Sequence, residues 1–145
     1  MKEYLANLLQ PDATLLERRN LTREYLQALI LQSLQRSGAM TSLAFHGGTA
    51  LRFLYSLPRY SEDLDFALEI NKERYDFQAY LHAIQKDLDA QGYRISAKVS
   101  DQKTVHSAYI RFPGLLYELN LSPHRDEVLA VKIEVDTVPP GEAEL

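Results

Sequence analysis

The spacing of apolar residues predicts helices in the first part of the chain. Residues 21–36 and 72–90 both repeat apolar side chains at helical spacing, and a glycine follows each segment, at positions 38 and 92. That spacing marks one side of an α-helix, and glycine favours the left-handed backbone in which helices commonly end. We therefore expect two long helices, preceded by a shorter helix over residues 1–9.

Shorter segments have the composition and alternation of β-strands. Residues 63–68 and 129–135 alternate apolar with polar side chains, as strands with one buried face do. The remaining candidates, which are apolar or rich in β-branched and aromatic residues, are residues 42–46, 94–99, 104–112 and 116–120. Because helices come mainly first and strands mainly last, the sequence predicts an α+β fold with helices packed mainly on one face of a mixed β-sheet.

Length and composition indicate one cytoplasmic domain. The chain has 145 residues, 46% of them hydrophobic, which is enough for a single core. We expect the domain to cover residues 1–138, and the Pro-Pro-Gly run to begin a flexible tail or truncation point at residues 139–145. No apolar run approaches the roughly 20 residues that cross a bilayer, and the charged start lacks a signal-peptide core, so no membrane contact is expected.

Cysteine content and net charge restrict the chemistry. Because cysteine is absent, only oxygen and imidazole ligands remain for a metal, which favours hard cations. The net charge of −4 gives no overall attraction for nucleic acid, so RNA would need a local patch. Arginines stand together at positions 18, 19 and 23, but such a run is more typical of a solvated helix face.

A glycine pair stands where the strand at 42–46 gives way to a helical segment at 49–56. Gly47 and Gly48 allow a sharp turn and let a ligand approach the backbone closely. The helix that follows directs free amides and its positive dipole end into the same space, which suits a phosphate, and Thr49 adds a hydroxyl. Gly-Gly turns are also common at strand ends, so a purely structural role remains open at this stage.

An acidic pair follows the glycines. Alternate strand residues share a face, so Asp63 and Asp65 project together. Two adjacent carboxylates repel each other and raise each other's pKa unless a cation lies between them. Mg²⁺ is such a cation, since one or two carboxylates plus substrate phosphates typically hold it. The alternative is an exposed edge on which Arg52 or Arg59 serves as a counter-ion.

A third acid lies on the last strand. In residues 131–136, Lys132, Glu134 and Asp136 share the polar face. Glu134 joins Asp63 and Asp65 if the two strands are neighbours. A strand that faces solvent shows the same pattern, so this segment alone does not decide between the two interpretations.

Three segments together resemble the motifs of a known family: HGGTALR at residues 46–52, RYSEDLDF at 59–66 and VKIEV at 131–135. They are similar to those of the AbiEii/AbiGii abortive-infection toxins, which belong to the nucleotidyltransferase superfamily. The resemblance implies a Mg²⁺-dependent transfer of a nucleoside monophosphate from an NTP to an acceptor, with loss of pyrophosphate. It also implies a toxin whose relatives modify tRNA ends and are neutralised by a cognate antitoxin protein.

Within this resemblance, four residues form the expected catalytic group. Asp63 and Asp65 would hold two Mg²⁺ ions, one near the acceptor hydroxyl and one near the pyrophosphate. Glu134 would complete the shell of the ion nearest the acceptor and help to remove the hydroxyl proton. Lys132 would stand beside these acids and balance charge.

Five further residues form the expected nucleotide-binding group. Gly47, Gly48 and Thr49 would surround the triphosphate at the start of the helix. Arg52, one helical turn further on, and Arg59 would balance the charge of the triphosphate.

Two other functions remain open at the level of sequence. Members of the family usually continue into a helical C-terminal half, whereas this sequence ends soon after Glu134, so a truncated or minimal form is expected. The chain would then be a catalytically inactive or truncated relative that acts as a nucleotide- or partner-binding module. A metal-dependent phosphohydrolase is the third possibility, because paired aspartates and Mg²⁺ also serve hydrolysis.

Overall fold

The structure is a computed structural model, and it describes residues 5–7, 9, 12–46, 63–70 and 72–138. In this part of the chain, helices lie against one face of a five-stranded mixed sheet, so the predicted α+β architecture is confirmed. The expected helix at 49–56 and the expected tail at 139–145 lie outside the described residues. None of the described helices combines the length and the apolar character that a membrane span requires.

The first long helix, α1, covers Leu15–Arg36 and begins earlier than residue 21, where the apolar spacing placed its start. The reason is a cap at Thr14, whose hydroxyl oxygen accepts a hydrogen bond of 3.1 Å from the backbone N–H of Glu17. A Thr-x-x-Glu sequence is typical of a helix start, because it satisfies amides that the first turn leaves without partners. The helix ends before Gly38, which has a φ of +85°.

The second long helix, α2, covers Phe77–Ala90. The sequence predicted a continuous helix from residue 72, but a short 3₁₀ turn at Lys72–Arg74 precedes it. Asp76 separates the two because its side chain accepts a hydrogen bond of 3.0 Å from the backbone N–H of Ala79 and caps α2.

The sheet contains β1 (Leu43–His46), β2 (Asp63–Leu68), β3 (Ser96–Ser100), β4 (Val105–Phe112) and β5 (Leu129–Asp136). Its order is β1-β2-β5-β4-β3. β2 and β5 are parallel, and the other neighbouring pairs are antiparallel. The last strand therefore lies in the centre of the sheet, directly beside the strand that carries the aspartate pair.

One predicted strand, residues 116–120, is wrong. The chain instead forms a single helical turn, α3, at Leu115–Glu118. Gly114 adopts a φ of +79° at the start of the turn, and both Leu115 and Leu116 are buried. Two successive buried residues fit a helical turn packed on a core, whereas a strand would send them to opposite faces.

The sheet has two different faces. The covered face lies under α1 and α2, and its side chains form the hydrophobic core with apolar residues of both helices. Its buried members on the three central strands are Leu64, Phe66, Leu68, Ala108, Ile110, Phe112, Leu129, Val131, Ile133 and Val135. The open face carries the alternate residues of the same strands, and most of these are polar.

The arginine cluster of α1 does not form the solvated face that the sequence suggested. Arg19 Nη2 lies 2.6 Å from Glu127 Oε2, in the loop that leads to β5. Arg23 donates a hydrogen bond to the backbone carbonyl of Ala130, inside β5. The Arg19 hydrogen bond holds the pKa of Glu127 below its usual range. Arg19 and Arg23 therefore connect α1 to β5 and to the loop before it, so both contribute to the fold.

Candidate active site

The three predicted acids meet on the open face. In the parallel pair of β2 and β5, Asp65 lies opposite Glu134, and Asp63 lies opposite Lys132. Residues opposite each other in a sheet share a face, and neighbouring strands are about 4.8 Å apart. The register therefore places Glu134 on the same face as both aspartates, as the sequence hypothesis requires. All four side chains are partly exposed.

Alternation along β5 fixes this arrangement. Buried and partly exposed residues alternate from Leu129 to Asp136 without a break. Val131, Ile133 and Val135 fill the core, because burying their apolar surface is favourable. Lys132 and Glu134 must then point to the open face, since burying an unpaired charge is very costly. A shift of one residue would exchange the two faces, so the core itself sets the position of Glu134.

Lys132 lies among the acids and is paired with one of them. Its Nζ atom lies 2.8 Å from Glu134 Oε1, with 27% and 35% of the two side chains exposed. The hydrogen bond to Glu134 raises the pKa of Lys132, and the charges of Glu134 and Asp63 add to the effect. Nζ also lies 5.6 Å from the ring centre of Tyr109. Lys132 therefore remains protonated and offsets part of the repulsion among the acids.

The side chains on the open face offer the kind of ligand atom that a hard cation binds, but those described are not arranged as a three-ligand metal site. Asp63, Asp65 and Glu134 offer carboxylate oxygens, which Mg²⁺ prefers. Within the described residues, however, no three His, Asp or Glu side chains are arranged to hold a metal ion. Glu134 is instead engaged with Lys132. A site on this face would combine carboxylate oxygens with oxygens from a bound substrate, a common composition for Mg²⁺.

The predicted nucleotide-binding group, Gly47, Gly48, Thr49, Arg52 and Arg59, lies outside the described residues. The two ends of that segment are nevertheless placed by the sheet. β1 ends at position 46, whose backbone lies opposite that of Asp65, and β2 begins at Asp63. β1 therefore ends beside the acidic pair, and the glycine pair comes next in the sequence.

The part of the open face that lies on β4 was not predicted from the sequence. Ser107 is opposite Glu134, and Tyr109 is opposite Lys132. Tyr109 is 41% exposed. The signal that could have found it is the parity of residues 105–112, since Ala108, Ile110 and Phe112 take the buried positions.

Two other features of the described residues do not belong to this site. Asp136 shares the polar side of β5, but its Oδ1 accepts a hydrogen bond of 3.0 Å from the backbone N–H of Val138. A small cavity of about 110 Å³ lies at the C-terminal end of β4, and none of the predicted acids lines it. The lining residues are Tyr93, Arg94, Phe112, Pro113, Gly114, Leu115 and Glu118.

Comparison with known proteins gives both a family match and structural matches. The family described as "Nucleotidyl transferase AbiEii toxin, Type IV TA system" matches residues 29–144. A crystal structure of a candidate nucleotidyltransferase from Helicobacter pylori matches with a TM-score of 0.57 and 25% identity, over 87% of this chain and 49% of that one. The Helicobacter pylori protein JHP933 matches with a TM-score of 0.55 and 25% identity, over 87% of this chain and 47% of that one.

The chain thus spans about half the length of these solved proteins, by the coverages of 49% and 47%. None of the curated proteins matches it. The family match contains all five strands and all nine residues that the sequence analysis singled out as catalytic or nucleotide-binding.

Proposed function

The chain belongs to the AbiEii family of nucleotidyltransferase toxins of type IV toxin–antitoxin systems, and from this premise we propose a specific reaction. The protein transfers a nucleoside monophosphate from an NTP to a hydroxyl of an acceptor. The acceptor oxygen bonds to the α-phosphorus, the bond to pyrophosphate breaks, and the hydroxyl proton is released. The observation that carries the proposal is the parallel register that sets Asp65 opposite Glu134, with Asp63 on the same face.

The acids serve to hold cations next to the phosphates. Transfer of a phosphoryl or nucleotidyl group depends mainly on alignment and on stabilisation of negative charge. In our proposal Asp63 and Asp65 would hold two Mg²⁺ ions, and Glu134 would be a further ligand of the ion nearest the acceptor. When bound, the ions would polarise the phosphoryl oxygens and favour loss of the acceptor's hydroxyl proton.

Lys132 balances negative charge in this proposal. In the structure it neutralises Glu134 through the contact of 2.8 Å. If Glu134 held a cation, the protonated Lys132 would be available for the negative charge of the triphosphate.

The nucleotide-binding group is proposed to act with the acids. Gly47, Gly48 and Thr49 would surround the triphosphate, and Arg52 and Arg59 would balance its charge. Support comes from the register, because the chain enters this segment opposite Asp65. The phosphates would then lie within reach of the cations that the aspartates hold.

The biological setting is proposed from the family. We take tRNA as the acceptor and a cognate antitoxin as the partner that restrains the protein, within the cytoplasm.

The decisive experiment removes one carboxylate. Asp65→Asn keeps the size of the side chain, and we expect it to lower Mg²⁺-dependent transfer of label from an α-labelled NTP about a hundredfold or more. Asp136→Asn is the matched control, because Asp136 shares the polar side of β5 but is bound to the backbone of Val138. Equal transfer by the Asp65 variant and the wild type would overturn the mechanism.

A binding measurement separates turnover from recognition. An NTP with Mg²⁺ should raise the melting temperature of the wild type, because a ligand that binds only the folded state stabilises it. Stabilisation without any transfer would instead favour the alternative of an inactive nucleotide-binding module. Release of free nucleotide without an acceptor product would indicate a phosphohydrolase.

A further inference from the structure

The open face is divided into two halves of different charge. On β2 and β5 it carries Asp63, Asp65, Glu134 and Asp136, with Lys132 as the cation among them. On β3 and β4 no open-face position is acidic. Those positions, read from the register and from the buried alternation of β4, are Ser96, Lys98, Ser100, Val105, Ser107, Tyr109 and Arg111.

Tyr109 lies at the boundary between the halves. One row of paired residues crosses four strands in the order Lys98, Tyr109, Lys132, Asp63. Since neighbouring strands are about 4.8 Å apart, the Tyr109 backbone lies about 10 Å from that of Asp63. The Tyr109 side chain is 41% exposed. The ammonium group of Lys132 lies 5.6 Å from the centre of its ring.

Two cations flank this tyrosine and are not used by the fold. Lys98 lies opposite Tyr109, and Arg111 follows two positions later on the same face. Both are exposed, and neither forms an ion pair with any of the described residues. The contrast with Arg19 is direct, because Arg19 is bound to Glu127 and holds α1 in place.

We propose that Lys98, Tyr109 and Arg111 form a strip that binds the single-stranded end of a nucleic acid acceptor. A base stacks on Tyr109, and Lys98 and Arg111 pair with the phosphates on either side of it. This inference rests on the proposed function, because the strip would lead the terminal hydroxyl to the neighbouring acids. It deepens that function by assigning the binding surface of the acceptor to β3 and β4.

The chemistry favours a single strand over a duplex. An exposed aromatic ring stacks on bases only when these are not already stacked within a helix. Backbone phosphates are attracted by cations irrespective of sequence. The chain as a whole has a net charge of −4, so attraction must come from a local patch without acids, and the strip is such a patch.

The first test measures binding of a short, fluorescent single-stranded RNA by anisotropy, without NTP. We expect Tyr109→Ala to weaken binding about tenfold, whereas Tyr109→Phe should retain it, because stacking requires only the ring. Tyr117→Ala is the matched control. Tyr117 is 40% exposed and lies under Arg125 at 5.0 Å, but it belongs to α3, not to the open face.

The second test concerns the two cations. Replacing Lys98 and Arg111 together by alanine should weaken binding. The slope of the logarithm of the binding constant against the logarithm of the salt concentration should become shallower by about 1 for each residue replaced. Lys86→Ala, an exposed lysine on α2, should leave both quantities unchanged. Melting curves should match the wild type in every case, because the replaced side chains are exposed.

The outcomes separate this inference from the proposed function. If NTP and Mg²⁺ stabilise the wild type and transfer occurs, but the strip variants bind RNA and accept label as well as the wild type, the strip proposal is wrong and the transferase function stands. If RNA binding depends on Tyr109 while NTP neither binds nor is consumed, the strip is confirmed and the transferase function fails. If the wild type binds the RNA no better than the strip variants do, the strip is rejected.

Discussion

The covered and open faces of the sheet are built from the same strands, yet they serve different ends. On β5, the residues at odd positions from Leu129 to Val135 are buried and apolar, while the even positions carry Lys132, Glu134 and Asp136. The covered face excludes water and holds the strands in register. The open face brings several carboxylates together, with Lys132 among them. The difference teaches that, in this domain, stability and chemistry are separated by the parity of a residue along its strand.

The open face nevertheless depends on the covered face. The acids meet only because the apolar residues of β2 and β5 fix the register of the pair. The acids in turn add repulsion, which Lys132 relieves in part through Glu134. A change on the covered face should therefore disturb both stability and function, whereas a change on the open face should disturb function alone.

The largest expected effect comes from breaking the covered face. Phe66 is 1% exposed and stacks on Phe45, with ring centres 5.2 Å apart. Phe66→Ala removes a large buried ring and leaves a cavity, so we expect a loss of about 3 to 5 kcal/mol in the free energy of unfolding. Denaturation in urea measures it. Domains of this kind have about 5 to 15 kcal/mol in total, so this loss would be a large part of the stability.

The matched change one position earlier is Asp65→Asn on the open face. It should shift the same denaturation curve by less than about 1 kcal/mol, because the side chain is only partly buried. If both variants lost equal stability, the separation of the faces would be wrong.

Much of this arrangement could be predicted from the sequence. Residues 63–68 and 129–135 alternate clearly, because each strand has one buried and one open face, so the acids could be assigned to the polar face. The identity of the neighbouring strand could not be read from alternation, because pairing depends on the whole fold. The resemblance to a family supplied that link before the structure did.

The errors have local physical causes. Residues 116–120 are rich in apolar and aromatic side chains, which strands and buried helical turns share. The positive φ of Gly114 and the burial of both Leu115 and Leu116 distinguish the two here. Tyr109 was overlooked because composition does not report which face of a strand a tyrosine occupies. The contact between Lys132 and Glu134 joins residues two apart on one strand, and choosing it over a partner across the sheet requires coordinates.

A smaller effect should follow from Glu134→Gln on the open face. If Glu134 completes the ligand set on the acceptor side, transfer should fall about tenfold to a hundredfold with NTP binding largely preserved. The loss of the contact with Lys132 should change the free energy of unfolding by less than about 1 kcal/mol, since the pair is partly exposed. Single-turnover rates and NTP-dependent melting shifts measure the two quantities. A variant that transfers normally would remove Glu134 from the site.

The smallest effect should come from a charged contact at the rim of the covered face, between Arg19 and Glu127. The pKa of Glu127 is lowered in the folded chain, first by the hydrogen bond from Arg19 and then by that from Ser122. A lowered folded pKa means that the contact stabilises the protein above the unfolded carboxyl value of about 4.3 and loses this effect as the pH falls through the folded value. Glu127→Gln should therefore melt slightly below the wild type at neutral pH, and the two melting temperatures should converge in acid.

Asp89→Asn, which removes an exposed carboxylate of α2, serves as the control for a change in charge alone. A gap that stayed constant down to low pH would show that the charge of Glu127 does not contribute. A gap as large as that of Phe66→Ala would show that this contact holds α1 as firmly as the apolar core does.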